Sequence, residues 1–191
     1  MLEGKTVIFG GSFNPPHAAH QMICLYLIEN LGADEVWMVP ANSHPLGKEL
    51  IEYHHRAAMC RMVAESLSSR VMVCDAEKKL AGKGRTFDLL THLIGEHPKR
   101  SFSLAVGADI LLETQKWHRW DDITEMVQVL ILGRSGYDNE AAGKIVPAGE
   151  LELPKVSSSE IRRRLRAQES VGGLISLVVK DYIVSNGLYQ V

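Results

Sequence analysis

The sequence predicts an α/β protein built on a doubly wound, mainly parallel sheet of five to six strands. Helices cover both faces, and a helical C-terminal segment of about 157–191 packs against the rest. Three observations predict it. Short apolar runs alternate along the chain with longer segments of helical period. Most of those runs stop at glycine or proline, as buried strands do where they hand over to a loop or a helix. And 191 residues make one domain's worth of chain, enough for a substantial core, so 1–191 is read as one unit.

The stretch Val7-Ile8-Phe9-Gly10-Gly11-Ser12-Phe13-Asn14-Pro15-Pro16-His17-Ala18-Ala19-His20 organises the remainder. Val7 to Phe9 reads as a buried strand stopped by paired glycines. Pro15-Pro16 bars its continuation, and Pro16 suits the first turn of a helix. That helix is expected from His17 to Asn30, with Met22, Ile23, Tyr26 and Leu27 as its apolar stripe. His17 and His20, three apart, share one helical face beside the free N–H groups of a helix start. Opposite a glycine turn, such a place suits an anion and supplies two titratable donors. Either histidine alone would be unremarked as a surface or core residue; the combination is specific.

Glu35 to Val39 reads as a second strand ending at Pro40, followed by a polar loop carrying His44 and Lys48. A long helix is expected from Tyr53 to Leu67. His54 and His55 in its first turn diverge and read as surface residues, while Arg56 is read as facing the site. Val71 to Cys74 is a short strand, followed by a charged loop through Lys83-Gly84-Arg85. Thr86 is a good N-cap for a helix to about Glu96. Ser101 to Val106 is a strand ending in Gly107-Ala108-Asp109. Glycine there permits close backbone approach, and an acidic residue just beyond suits ribose hydroxyls. Asp121-Asp122 caps a helix to about Met126, Val127 to Leu132 is the next strand, and Gly133-Arg134 ends it. Lys144 to Pro147 is a short sixth strand. Ser157 and Glu160 have capping-box spacing, so a helix starts there, with serine hydroxyls, N–H groups and Arg162 at its N-terminus. A tail helix is expected from Leu174 to Asn186, closed by Asn186-Gly187.

Composition narrows the function classes. Hydrophobic residues make up 46% and charged residues 23%, an ordinary globular balance, and the net charge of −2 argues for neither nucleic acid nor an anionic membrane. Any anion site must be local. Of the run Arg162, Arg163, Arg164 and Arg166, only Arg162 and Arg166 share a helix face, and no aromatic platform accompanies them. Cys24, Cys60 and Cys74 lie in apolar segments without metal-ligand spacing and read as buried free thiols in a reducing compartment. With no signal pattern and no apolar run near 18 residues, the cytoplasm is the expected location. Gly4-Lys5-Thr6 precedes its strand and lacks the earlier glycine of a phosphate-binding loop. His17 with His20 has no third ligand nearby to make a metal centre. A homo-oligomer stays open.

The first stretch resembles the G-G-x-F-x-P-x-H-x-x-H signature of the nucleotidyltransferase superfamily of small Rossmann-like adenylyl- and cytidylyltransferases, with Ala19 where the family usually has glycine. Val156-Ser157-Ser158-Ser159-Glu160-Ile161-Arg162 looks like its I-S-S-T-x-I-R motif, Ser159 replacing threonine. Arg85-Thr86-Phe87-Asp88-Leu89-Leu90, Gly107-Ala108-Asp109-Ile110-Leu111, Trp117-His118-Arg119-Trp120 and the tail resemble the bacterial nicotinate-mononucleotide adenylyltransferases. The loop His44-Pro45-Leu46-Gly47-Lys48 departs from that subfamily's P-P-H-K order, so a phosphate contact by Lys48 or His44 stands against the plainer reading of a solvated loop.

The resemblance implies AMP transfer from ATP to nicotinate mononucleotide, with Mg2+ arriving on the ATP. It implies catalytic roles for His17, His20 and Arg162. ATP contacts fall to Gly10, Gly11, Ser12, Phe13, Lys48, Gly107, Asp109, Arg134, Ser157 and Ser158, and pyridine contacts to Thr86 and Trp117. Capping alone would explain Thr86, and core packing Trp117. Phosphopantetheine adenylyltransferases share the two outer motifs, and a nucleotide-binding sensor without catalysis is the alternative outside the enzymes.

Overall fold

Val7, Ile8 and Phe9 are all buried, although alternate residues of a strand point to opposite faces. Only a strand covered on both sides can bury such a run, and the computed structural model places it at the middle of the sheet. The structure describes residues 2–43, 50–80, 84–107, 117–132, 145–147, 151 and 153–190. Among these residues six strands, β1 (Lys5–Gly11), β2 (Glu35–Pro40), β3 (Val71–Val73), β4 (Ser101–Gly107), β5 (Gln128–Leu132) and β6 (Ile145–Pro147), lie in the order β3-β2-β1-β4-β5-β6. Every pairing is parallel, including Phe9 opposite Met38 on one side and Ala105 on the other. The chain winds outward from β1 through β2 to β3, then returns to β4 on β1's other flank. A crevice therefore opens between the carboxyl ends of β1 and β4, where the winding reverses.

The helices are α1 (Ala18–Leu25), α2 (Tyr53–Leu67), α3 (Ala76–Lys79), α4 (Thr86–Glu96), α5 (Trp120–Met126), α6 (Ser158–Arg166) and α7 (Leu177–Ser185). Two cores result. Val7, Phe9 and Met38 face Ile23, Leu27, Met59, Val63, Ile161, Val179 and Ile183. Ile8, Trp37 and Val39 face Leu89, Leu90, Leu93 and Ile123. The C-terminal segment adds Val171, Ile175, Leu188 and Tyr189 to the first core.

Several boundaries differ from expectation. The first helix is α-helical only to Leu25; Tyr26–Asn30 widens into a π-helical turn, with Leu31 N–H reaching Tyr26 C=O at 3.1 Å. The loop after β3 contains α3. Thr86 is the first residue of α4, and Arg85 holds the cap position, because the helix starts one residue early. Arg119, in a left-handed conformation, precedes α5, and Asp121 and Asp122 fall in its first turn, Asp122 bonding Arg119 at 2.7 and 3.0 Å. The last helix begins at Leu177, since Gly172 to Ile175 forms a bridged turn instead. Cys24 and Cys60 are buried free thiols, Cys24 pushed up to about 12 by burial, whereas Cys74 is half-buried.

Candidate active site

The loop after β1 is shaped by its own side chains. The Phe13 ring lies so close over Gly11 that a Cβ there would sit 3.0 Å from its Cζ, so glycine is required by the approach. Phe13 is 1% exposed and stands edge-on to Phe9 at 5.5 Å and to His20 at 4.9 Å between ring centroids. It is thus a support under the loop, and the ligand contact implied for it would pass through what it holds. At Gly10 a Cβ would meet nothing within 4 Å, so the backbone there is open to the crevice.

The start of α1 holds the two histidines together. The His17 N–H donates to His20 Nδ1 at 3.0 Å, and the two rings stack with centroids 3.7 Å apart. An Nδ1 that accepts from the backbone leaves the neutral ring's proton on Nε2, which is then its donor. The helix start itself is less open than expected. Leu174 C=O takes the Ala18 N–H at 2.8 Å, and the His20 and Gln21 N–H groups turn back to His17 C=O. Three backbone donors of the first turn are therefore already engaged, which leaves the imidazoles a larger share in holding an anion.

The second motif docks on the first. Ser157 caps α6, accepting the Glu160 N–H at 3.2 Å, while the Glu160 side chain binds Arg163 and Arg164 instead of returning to the cap. Those two arginines, drawn across, hold Glu160 down to about 2. Ser158 Oγ donates to Pro15 C=O at 2.8 Å. Arg162 donates to Asn14 C=O at 2.8 Å and to Ser159 Oγ at 3.3 Å. Tyr189, near the C-terminus, donates its hydroxyl to Asn14 Oδ1 at 2.9 Å. Both motifs therefore meet at Asn14-Pro15, joined by a cis peptide bond.

Across the crevice lies a cavity of about 250 Å³. Gly10, Gly11, Ser12, Gly107, Thr86 and Trp117 line it, as do Glu77 and Gly84. Six of the residues singled out in the sequence thus surround one space. Lys48, Asp109 and Arg134, and His44 beside Lys48, lie outside the described residues.

Two buried charged residues depart from the sequence reading, which set Arg56 facing the site and gave Glu77 no part in it. Arg56 is 1% exposed and does not line the cavity; it donates to the carbonyls of Ile51, Ser12 and Ala41, so its expected place facing the site is corrected to one beneath it. Burial lowers its guanidinium from the ordinary range. Glu77 is 8% exposed, and burial raises its carboxyl even though it accepts the Asn42 N–H at 2.9 Å and feels Arg56. Neither has a local pattern to mark it. Among the described residues, no cluster of three or more His, Cys, Asp or Glu is placed to hold a metal ion, and no helix is long and apolar enough to cross a membrane.

A parallel doubly wound sheet with paired histidines and a capped helix at its switch point defines a class of nucleotide-handling α/β proteins. The chain belongs to the cytidylyltransferase-like family, which it matches over residues 8–164. It is 45% identical over the full length of both chains to "Probable nicotinate-nucleotide adenylyltransferase" from Anaeromyxobacter dehalogenans strain 2CP-C. A protein of the same name from Myxococcus xanthus is 35% identical, covering 97% of this chain and 94% of that one. Among solved structures, the nicotinic acid mononucleotide adenylyltransferase of Plasmodium falciparum complexed with NaAD superposes with a TM-score of 0.77 at 26% identity, over 97% of each chain.

Proposed function

We propose that the protein transfers the adenylyl group of ATP to the 5′-phosphate of nicotinate mononucleotide, releasing pyrophosphate and forming deamido-NAD. The observation that carries this reading is the docking of Ser158 and Arg162 on Asn14-Pro15, just ahead of the stacked His17 and His20 in the chain, while Gly10, Gly11 and Ser12 of the same loop line a cavity with Thr86 and Trp117. One side suits a triphosphate and the other a planar ring.

A phosphate oxygen of the mononucleotide attacks the α-phosphorus; that P–O bond forms as the bond from the α-phosphorus to the β-phosphate oxygen breaks. The attacking oxygen is already anionic, so neither general base nor covalent enzyme intermediate is required. Catalysis is positioning and charge stabilisation. His20 donates from Nε2 to the phosphates, His17 supports it, and Arg162, with Lys48 and Arg134, offsets the triphosphate charge. Gly10, Gly11, Ser12, Ser157 and Ser158 border the ATP, and Gly107 with Asp109 takes its ribose. Mg2+ accompanies the ATP, held mainly by phosphate oxygens and water. Trp117 stacks on the pyridine ring, and the first-turn N–H of Thr86 meets the carboxylate. Cys24 and Cys60, buried as free thiols, support a reducing compartment such as the cytoplasm.

The test is pyrophosphate release with ATP and Mg2+, offering nicotinate mononucleotide, nicotinamide mononucleotide and phosphopantetheine separately. Turnover with the first well above the second is expected. Turnover with phosphopantetheine alone would overturn the substrate, and ATP binding without any turnover would make the protein a sensor.

A further inference from the structure

We propose that Arg56 and Glu77 form a positioning pair that grips a single peptide group, Ala41–Asn42, and through it sets the shape of the pyridine side of the site. The inference rests on the reading of that site as a mononucleotide pocket.

The grip is visible atom by atom. Arg56 Nη1 donates to Ala41 C=O at 2.7 Å, and Glu77 Oε2 accepts from Asn42 N–H at 2.9 Å. These are the oxygen and the hydrogen of one trans amide, so they point in opposite directions. The cation lies on the negative end of that peptide dipole and the anion on its positive end. The same Arg56 nitrogen also donates to Ser12 C=O at 3.0 Å, and Ala41 N–H donates to Gly11 C=O at 2.9 Å. Glu77 Oε2 in turn lies against Gly84, where a Cβ would come within 3.0 Å of it; Gly84, at φ +61°, leads into the start of α4. One chain of contacts thus runs from Gly11-Ser12, through Ala41–Asn42 and Glu77, to Gly84, two residues before Thr86. Ser12, Ala41, Glu77, Gly84 and Thr86 all border the cavity.

Stability is a poor reason for such a pair. Two buried ions repay their desolvation only with good geometry, and an apolar pair of similar volume commonly serves a core as well. These two charges instead meet through a peptide at the rim of the site, where orientation governs binding. The carboxylate needs only its accepting oxygen for this task, so an amide should replace it, whereas a methyl group should not.

The experiment measures KM and kcat for both substrates in the native protein, in Glu77→Ala, Glu77→Gln and Arg56→Lys, and in the Arg56→Lys/Glu77→Ala double variant. Melting temperatures accompany each. Glu77→Ala should raise KM for nicotinate mononucleotide about 10-fold, the scale of losing one buried hydrogen-bond acceptor, with KM for ATP changed about 2-fold or less. Glu77→Gln should recover most of that loss. The double variant should lose less in kcat/KM than the two single losses multiplied, because both residues act on one peptide. Altered melting with unchanged KM would overturn the proposal, as would Glu77→Gln matching Glu77→Ala, or strictly multiplicative losses. Should the Arg56 variants fail to fold, the alanine and glutamine comparison decides alone. A native protein silent with nicotinate mononucleotide would overturn the underlying reading, whereas an active one with variants equal to it would overturn the pair alone.

Discussion

The His17 N–H donates to His20 Nδ1 at 3.0 Å while the two imidazoles stack, so the His20 ring is oriented by the backbone of the residue three before it. That bond selects the Nε2–H form of the neutral ring.

Removing that donor should therefore act on the chemical step. His20→Ala is expected to lower kcat about 10²-fold or more, the usual loss for one preorganised donor to developing charge. Steady-state pyrophosphate release checks it, with circular dichroism to show the fold. Near-normal turnover in a folded variant would remove His20 from the mechanism.

Gly11 is constrained by the Phe13 ring and not by its own backbone angles. In Gly11→Ala the new Cβ would lie 3.0 to 3.3 Å from three atoms of that ring. Phe13 has no room to retreat, being 1% exposed and pressed edge-on against Phe9 and His20. Overpacking of this kind costs about 1–3 kcal/mol, so thermal unfolding should shift down by several degrees. Because the displaced ring supports His20, kcat should fall with it. A variant as stable and active as the native protein would show that the loop yields.

Local pattern made the strands, α2 and the cap at Ser157 legible, because each is written within a short window: an apolar run, a helical stripe, a serine three before a glutamate. The α6 boundary at Ser158 and the α2 limits at Tyr53 and Leu67 follow directly. What was not legible depends on partners far along the chain. Leu174 C=O closing the start of α1 cannot be seen from either segment alone, and it removes a backbone donor that the glycine-proline-histidine pattern had promised. Glu77 looks like any charged residue on a short helix, and Arg56, read as facing the site, gives no local sign that it lies beneath it; only burial reveals both. Thr86 reads as a cap because threonine so often is one, yet it is the first helical residue and the arginine before it holds the cap position.

Glu77 gives a pH signature with a definite sign. Burial raises its carboxyl above the ordinary value near 4.5, outweighing the Asn42 N–H and Arg56, which lower it. A group whose value is higher folded than unfolded favours folding most below its unfolded value, and that contribution is lost as pH rises through the folded one. Native stability should therefore fall, relative to Glu77→Gln, as pH climbs from about 4.5 toward neutrality. Melting temperatures of the two proteins from pH 5 to 8 should diverge in favour of the glutamine. A constant gap would mean that Glu77 titrates as an ordinary solvated carboxylate.

Tyr189 ties the end of the chain to the loop that carries the first motif. Its hydroxyl donates to Asn14 Oδ1 at 2.9 Å in a buried position, and Asn14 C=O accepts from Arg162 at 2.8 Å. Tyr189→Phe keeps the ring, which is 7% exposed and part of the first core, and deletes only that donor. Weakening a buried polar contact costs about 1–3 kcal/mol, and in a chain of this length the melting temperature should drop about 2–12 °C. The second effect concerns Arg162. With Asn14 less firmly held, the carbonyl that orients the guanidinium can shift, and small misplacements of positioning groups are costly to rate. Below the melting transition, kcat for the phenylalanine variant should fall about 10-fold. A lower melting temperature with unchanged kcat would show that Ser158 and Arg162 hold the Asn14-Pro15 loop without help from the C-terminus.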